Sequence, residues 1–401
     1  MDKRWFKVFA GILVALAMGS CVYDFTPDAD DLQGLDKPLV VIEGDIIVGG
    51  ITNVKLGYSR SVLSGIENEE IDYTGTSVWV ESEKGEVWNG RVVGGVTSSS
   101  YSPSNEMEID TRDLPIDGRY RLCVSVPGRG EYRSAFKQPC VSPQIDTISF
   151  SFTKDGKGIQ FEVSTHNDSP EPLYCKWSFV EDWESNAALT PSLRSLNKEG
   201  SIVFQELTPE EKHSMTRCFS KGSSKDIYIA GTEKLSQNII HNERLNTVAG
   251  TDRRISSLYA ITITQTALDK EAFKYWEGVK ASISGTGGLF APMPNEVRGN
   301  IVCDTYPDEN VLGYINVSTA TTKRRMVEAN EVQLYRRSCT ETAYPDSVWM
   351  ELHNAGNIPV RYGEDEKGNI NKNEVYWTSA ECADCRTFSN STRPDFWPKG
   401  R

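Results

Sequence analysis

The sequence has little that would mark an enzyme or a metal protein, and each shortage removes a class of function. Histidine is scarce, with four in 401 residues. His166, His213, His241 and His353 are scattered, without the H-x₃₋₅-H or H-E-x-x-H spacing that holds zinc. G-x-S-x-G is missing, and "GYSRS" at 57–61 lacks the closing glycine of a nucleophile elbow. "GTGG" at 285–288 follows a helical stretch and leads into no Gly-Lys-Ser/Thr, so a turn is expected there in place of a phosphate loop. The EF-hand pattern is absent too, and "DEKGN" at 365–369 reads as an acidic turn. Positive charge is also short: 43 Lys+Arg against 56 Asp+Glu leave a net charge of −13. Such a surface repels nucleic acid and anionic headgroups, and no basic aromatic stripe offsets it. No metal, no cofactor, no nucleic acid partner and no catalytic residue is therefore expected. Carboxylates are plentiful, but no spacing selects two of them as a facing glycosidase pair.

Long apolar runs are lacking as well. After the first twenty residues nothing reaches the ~18 uninterrupted apolar residues of a membrane span. The start itself is informative. In "MDKRWFKVFAGILVALAMGSC", Lys3, Arg4 and Lys7 precede an apolar run from Val8 to Met18. That run falls short of the ~20 residues of a spanning helix and suits a signal peptide. Gly19, Ser20 and Cys21 then resemble a bacterial lipobox. Residues 1–20 are expected to be cut away between Ser20 and Cys21, with lipid on the Cys21 thiol. Several acyl chains, at ~0.8 kcal/mol per buried CH₂, give a stable anchor. Residues 21–36 form an acidic tether carrying Asp24, Asp28, Asp30, Asp31 and Asp36. It reads as a solvated spacer or as an acidic export signal. Loss of residues 1–20 removes Lys3, Arg4 and Lys7 against Asp2 and moves the balance to −15.

Nine cysteines are present. Without Cys21 there remain Cys123, Cys140, Cys175, Cys218, Cys303, Cys339, Cys382 and Cys385, an even set of disulfide candidates in an exported chain. Cys382 and Cys385 form a C-x-x-C, which is half of a zinc site, a redox pair or a staple. No second close pair exists for zinc, and the segment is polar with Pro394 and Pro398 behind it, unlike a strand-to-helix redox site. Stapling is the favoured reading, with the tail tied down and Cys339 as a distant partner.

Strand patterns dominate, so the fold is expected to be mainly β. Val54, Leu56 and Tyr58 alternate onto one face, as do Tyr120, Leu122, Val124 and Val126. Turns fall at Glu83-Lys84-Gly85, Asp117-Gly118 and Pro127-Gly128. Residues 37–142 are expected to form an immunoglobulin-like β-sandwich. Residues 143–401 read as a larger, sandwich-like β-rich domain with a disulfide-tied tail. Within it, Thr208 and Pro209 open a short helix. The clear helix lies near 269–283, with Asp269 as cap and a stripe of Phe273, Trp276, Val279 and Ile283 expected to pack in the core. In "VEDWES", Asp182 and Glu184 flank Trp183. A loop tryptophan with acids can stack on a sugar ring or a peptide aromatic, and an edge-strand tryptophan is the plainer reading.

The ordered phrases "LVVIEGDI", "VKLGYSRS", "YRLCVSV", "YAITITQTALDKEAFKYWEGV", "GTGGLFAPMPNEVRGNI", "VLGYINVS" and "CADCR…PDFWP" resemble the Bacteroidota lipoproteins grouped as domain of unknown function 4249. One departure stands out: Ser389-Asn390-Ser391 occupies a place where the resemblance implies glycines. The family has no agreed activity, so the resemblance implies no catalytic residue. It implies an outer-membrane lipoprotein at the cell surface, working beside a TonB-dependent receptor with a glycan or peptide ligand. A structural or adhesive surface lipoprotein is the alternative, and a surface hydrolase a third.

Overall fold

The structure is a computed structural model describing residues 39–58, 75–93, 106–284, 299–334 and 338–399. Ser20, Cys21 and the acidic tether lie outside the described residues, as does the glycine run at 285–288. Strand accounts for 51% of the structure and helix for 14%, so the protein is mainly β.

The chain begins with the antiparallel pair β1 (Val40–Ile47) and β2 (Gly50–Tyr58). The hairpin of β3 (Ser77–Ser82) and β4 (Val87–Val92) turns on Gly85, whose φ of 87° is open to glycine at no steric cost. Then follow β5 (Glu106–Thr111), β6 (Tyr120–Val126) and β7 (Gly130–Ser134). Period-2 burial is clear in β6, where Tyr120, Leu122, Val124 and Val126 face the core. β4 changes partner halfway. Its residues Val87–Asn89 pair with β3, whereas Gly90–Val92 pair with β5. Gly90 sits at this corner, where an added Cβ would lie 2.8 Å from the Val78 carbonyl oxygen. One continuous sheet thus folds over its own inner face, nearly closing around Ile42, Val54, Val80, Ile109, Leu122 and Tyr132.

The ends of this nine-stranded sheet come from far along the chain. β17 (Ile301–Cys303) pairs with β7, and β18 (Ile315–Ser318) runs parallel to β1. The unit expected to end at residue 142 is therefore completed by residues 301–318. A parallel neighbour for β1 requires a long crossover, and here almost the whole second unit serves as that crossover. No local pattern announces such a return.

The second unit is a sandwich. One sheet has the order β15 (Ile239–Ala249), β9 (Gly158–His166), β8 (Ile145–Phe152). The other has the order β13 (Arg217–Ser223), β10 (Tyr174–Asn186), β16 (Leu258–Ala267), β19 (Ala320–Glu328), with β14 (Tyr228–Gly231) on the start of β10. Phe161, Val163, Trp177, Tyr259, Ile261 and Ile263 fill the space between them. The short helix Pro209–Thr216 starts as its sequence requires: the Thr208 side chain accepts from the Glu211 N–H, and Glu211 answers to the Thr208 N–H.

The long helix Lys270–Ser284 is capped by Asp269, whose Oδ1 accepts the Ala272 N–H at 2.7 Å. Ala272, Phe273, Tyr275 and Trp276 pack on Tyr174, Leu268 and Tyr314. The stripe is seated over its first two turns only. Ile283, expected in the core, is 66% exposed. This helix joins the two units: Lys137 of the first contacts Asp269 and donates to the Tyr314 hydroxyl at 2.6 Å. Beside it Lys176 pairs with Asp45 and lies over the Trp276 ring.

A small third cluster completes the C-terminal part. The hairpin β11 (Leu193–Lys198) and β12 (Ser201–Glu206) meets the sheet β20 (Thr342–Tyr344), β22 (Ile370–Thr378), β21 (Ile358–Glu364) and the helix Trp349–Asn354. Leu193, Phe204, Trp349, Tyr362, Val375 and Trp377 form its core.

Candidate functional site

Asp182, Trp183 and Glu184 do not form the loop platform considered from the sequence. They lie within β10, which pairs with β13 on one side and β16 on the other. Successive side chains of a strand point to opposite faces. Trp183 therefore turns to the sandwich core, where it packs as a half-buried ring. Asp182 and Glu184 turn to the outer face of the sheet, and both are buried there. Acids and tryptophan are separated by the sheet itself.

What covers Glu184 is the C-terminal tail. Trp397 lies on Leu258 and Ala260 and meets Phe219 edge-on at 5.6 Å. Its Nε1–H donates to Glu184 at 3.0 Å. Glu184 also accepts from Arg217 Nη2 at 2.8 Å and from the Ser257 hydroxyl at 3.2 Å. Burial pushes the Glu184 carboxyl up, but the hydrogen bonds from Arg217 and Trp397 outweigh it and leave it below the ordinary range. The Asp182 carboxylate takes no hydrogen bond among the described residues. Burial raises its pKa, opposed in part by the charges of Lys221 and Arg324. On the core side of the same strand, Glu181 accepts Arg254 Nη1 at 2.9 and 3.1 Å, Asn246 Nδ2 at 2.6 Å and the Tyr259 hydroxyl.

The tail reaches this face by wrapping around β13, the edge strand of its sheet. Cys385 is bonded to Cys218 at the start of β13. Phe388 lies under the Arg253 guanidinium, 4.0 Å from the ring centroid. The Asn390 side-chain amide then accepts from the Lys221 N–H at 2.8 Å and donates to the Lys221 carbonyl at 3.2 Å. Ser391 N–H donates to the Phe219 carbonyl at 3.2 Å. Phe396 ends under Arg324, and Trp397 on Glu184. An open edge is a template for unwanted pairing, and here a side-chain amide and one backbone bond cover it.

Cys382 bonds to Cys339, so the C-x-x-C residues take two distant partners and not each other. Cys123, Cys140, Cys175 and Cys303, candidates for further disulfides, are free thiols. Cys123 and Cys303 project from two neighbours of β7, and Cys175 faces the sandwich core. Burial pushes the Cys123 thiol up to about 12 and that of Cys140 to about 11. Such thiols stay protonated and are poor nucleophiles or metal ligands.

Beside Glu184 opens a cleft of about 540 Å³, lined by Asn186, Arg217, Ser257, Glu328 and Asn330 among others. Its chemistry is polar, and part of it is already satisfied: Asn186 Nδ2 donates to the Ser257 hydroxyl at 3.3 Å. A carboxylate held ionised by a guanidinium suits binding and is a poor general acid. Among the described residues no three of His, Cys, Asp and Glu are placed to hold a metal ion. Ser195 and His353 meet at 2.8 Å in the third cluster, with no carboxylate joined to the histidine among the described residues.

Linear reading found Glu184 but not Arg217, Ser257 or Trp397, which stand 33, 73 and 213 residues from it. The one available signal was the Pro394-Asp395-Phe396-Trp397 phrase, whose two aromatics in a polar tail imply something to cover.

No curated protein matches the chain. Among solved structures, chitinase ChiA74 from Bacillus thuringiensis is similar at 14% identity over 53% of this chain and 29% of that chain. Its TM-score of 0.14 carries no argument about fold or activity. The family described as domain of unknown function (DUF4249) matches residues 22–324, from the expected tether through the first sheet and most of the sandwich. That match spans well over half of the sequence, and the chain belongs to this family.

Proposed function

We propose that the protein is a lipid-anchored, non-catalytic subunit of an outer-membrane uptake complex, presenting a β-rich binding surface beside a TonB-dependent receptor for a glycan or peptide ligand. The Met-Gly-Ser-Cys sequence at 18–21 supports the anchor, and the acidic tether supports display at the cell surface. The observation that carries the binding reading is the state of the buried acids. Glu181 and Glu184 are each fastened by an arginine and two further donors from the protein's own strands and tail. The charge of Glu184 fixes architecture beside the cleft, and that of Glu181 does so on the core side of the same strand. Confinement to the membrane plane raises the effective concentration of a binding surface near its receptor.

The test is recovery from mild detergent of a C-terminally tagged protein, with identification of what accompanies it. A TonB-dependent receptor in near-stoichiometric amount is the expected result. Recovery of the protein alone, or only with copies of itself, would overturn the reading.

A further inference from the structure

The two disulfides share one C-x-x-C, and they differ in access. Cys218, Cys382 and Cys385 are 6, 7 and 0% exposed. Cys339 is partly exposed. The bonds also do different work. Cys339–Cys382 closes the third cluster upon itself across 43 residues, whereas Cys218–Cys385 fastens the tail to β13 across 167. Cys382 lies in one short helical turn, Ala380–Ala383, and Cys385 begins the next, Cys385–Thr387.

We propose that Cys339, Cys382, Cys385 and Cys218 form a thiol–disulfide relay that converts the covalent clasp on β13 into a non-covalent one. The co-reactant is a dithiol. One of its thiolates attacks the sulfur of Cys339, the most exposed of the four residues, forming a mixed disulfide and expelling Cys382 as a thiolate. That thiolate, three residues from Cys385, attacks the Cys385 sulfur and expels Cys218. The second thiol of the reductant resolves the mixed disulfide at Cys339. In balance, the dithiol becomes a disulfide, giving two electrons and two protons. The protein exchanges its two disulfides for one, Cys382–Cys385, with thiols at Cys218 and Cys339. The relay reaches a bond that solvent does not, because the attacking sulfur is released inside the protein.

After exchange, residues 386–397 keep the Arg253–Phe388 and Arg324–Phe396 stacks, the Asn390 and Ser391 hydrogen bonds and the Trp397 contacts, all of them non-covalent. Local opening then uncovers the β13 edge and the Glu184 carboxylate under Trp397 together. The relay needs only the two observed disulfides and is independent of the receptor reading.

The test is partial reduction of the intact protein with limiting dithiothreitol, alkylation of free thiols and peptide mapping. The expected first product carries labels on Cys218 and Cys339 and a Cys382–Cys385 bond. Labels on Cys339 and Cys382 with Cys218–Cys385 intact would overturn the relay, as would simultaneous labelling of all four. Tryptic cleavage after Arg386 is expected to rise about tenfold or more in that product, since cleavage follows the open population. Unchanged cleavage would refute release of the clasp. The Cys339→Ser variant gives an independent check, expected to mature with Cys382–Cys385 bonded and Cys218 free. Retention of Cys218–Cys385 with a free Cys382 would sink the proposal.

Discussion

Replacement of Trp397 by alanine isolates the non-covalent strength of the clasp. Trp397 is 2% exposed, packs on Leu258, Ala260 and Phe219, and donates to the ionised Glu184. Truncation of a buried tryptophan costs about 3–5 kcal/mol. Two contributions sit inside that figure, the packing and a hydrogen bond to a charged acceptor worth about 1.5–3 kcal/mol. The Cys218–Cys385 bond remains in the variant, so the loss appears as easier opening of the tail and not as unfolding of the sandwich. Native-state hydrogen exchange reads this directly. The Lys221 amide is closed by Asn390 and the Ser391 amide by Phe219, so both exchange only when the clasp opens. At about 1.4 kcal/mol per tenfold, exchange at these two amides should rise by roughly two orders of magnitude or more. Amides of Ile261 and Ile263 in the sandwich core should be unchanged. A rise below about threefold at Lys221 and Ser391, or an equal rise across the core, would refute the clasp as an opening unit.

Glu184→Ala should be costlier than any surface charge change, about 3–5 kcal/mol, because it removes the buried carboxylate to which Arg217, Ser257 and Trp397 all donate; denaturant unfolding at pH 7 checks it. The Glu184 carboxyl is depressed in the folded state, so its contribution is full above the unfolded carboxyl pKa and is lost as pH falls through the folded one. Wild type and Glu184→Ala should therefore converge in stability under acid. Asp182 has the opposite sign: its raised pKa means that ionisation at neutral pH opposes folding. Asp182→Asn should raise the melting temperature at pH 7 and lose that advantage below the unfolded carboxyl pKa, and no gain at pH 7 would contradict the burial argument. Ile283→Ser should change stability by less than about 0.5 kcal/mol, whereas Phe273→Ala should cost about 3–5 kcal/mol, a pair that chemical denaturation separates easily.

The sequence made strands, turns and caps legible where the cause is local. Gly85 and Gly128 turn hairpins, Thr208 and Asp269 cap helices, and the alternation of β6 points four side chains inward. Periodicity failed where the partner of a face is decided elsewhere. The helical stripe through Ile283 is regular, yet the neighbouring surface ends near Trp276. "EDW" reads as an edge-strand tryptophan, or as a loop platform, because acids are rare in a central strand. Here a strand interior tolerates them because Arg217, Trp397 and Ser257 arrive from distant segments to satisfy the Glu184 carboxylate. C-x-x-C spacing told that a crosslink was present and, with Cys339, one of its partners. It did not distinguish Cys218 from the four thiols that stay free, since only the path of the tail brings Cys385 to β13.

The departure at Ser389-Asn390-Ser391 shows how much a single side chain contributes in that path. A glycine at residue 390 would allow the same turn and leave the Lys221 N–H and carbonyl facing outward. The Asn390 amide carries one donor and one acceptor in the spacing of a peptide group, and it meets both. It serves β13 as the next strand would, for one residue, without supplying a strand that a neighbouring chain might extend. The clasp therefore does two things with one segment. It lays Trp397 on Glu184 and Phe396 against Arg324 on the outer face, and it closes the edge that the same sheet leaves open. Because both depend on the anchor at Cys385, the bond to Cys218 sets whether that face is covered or available.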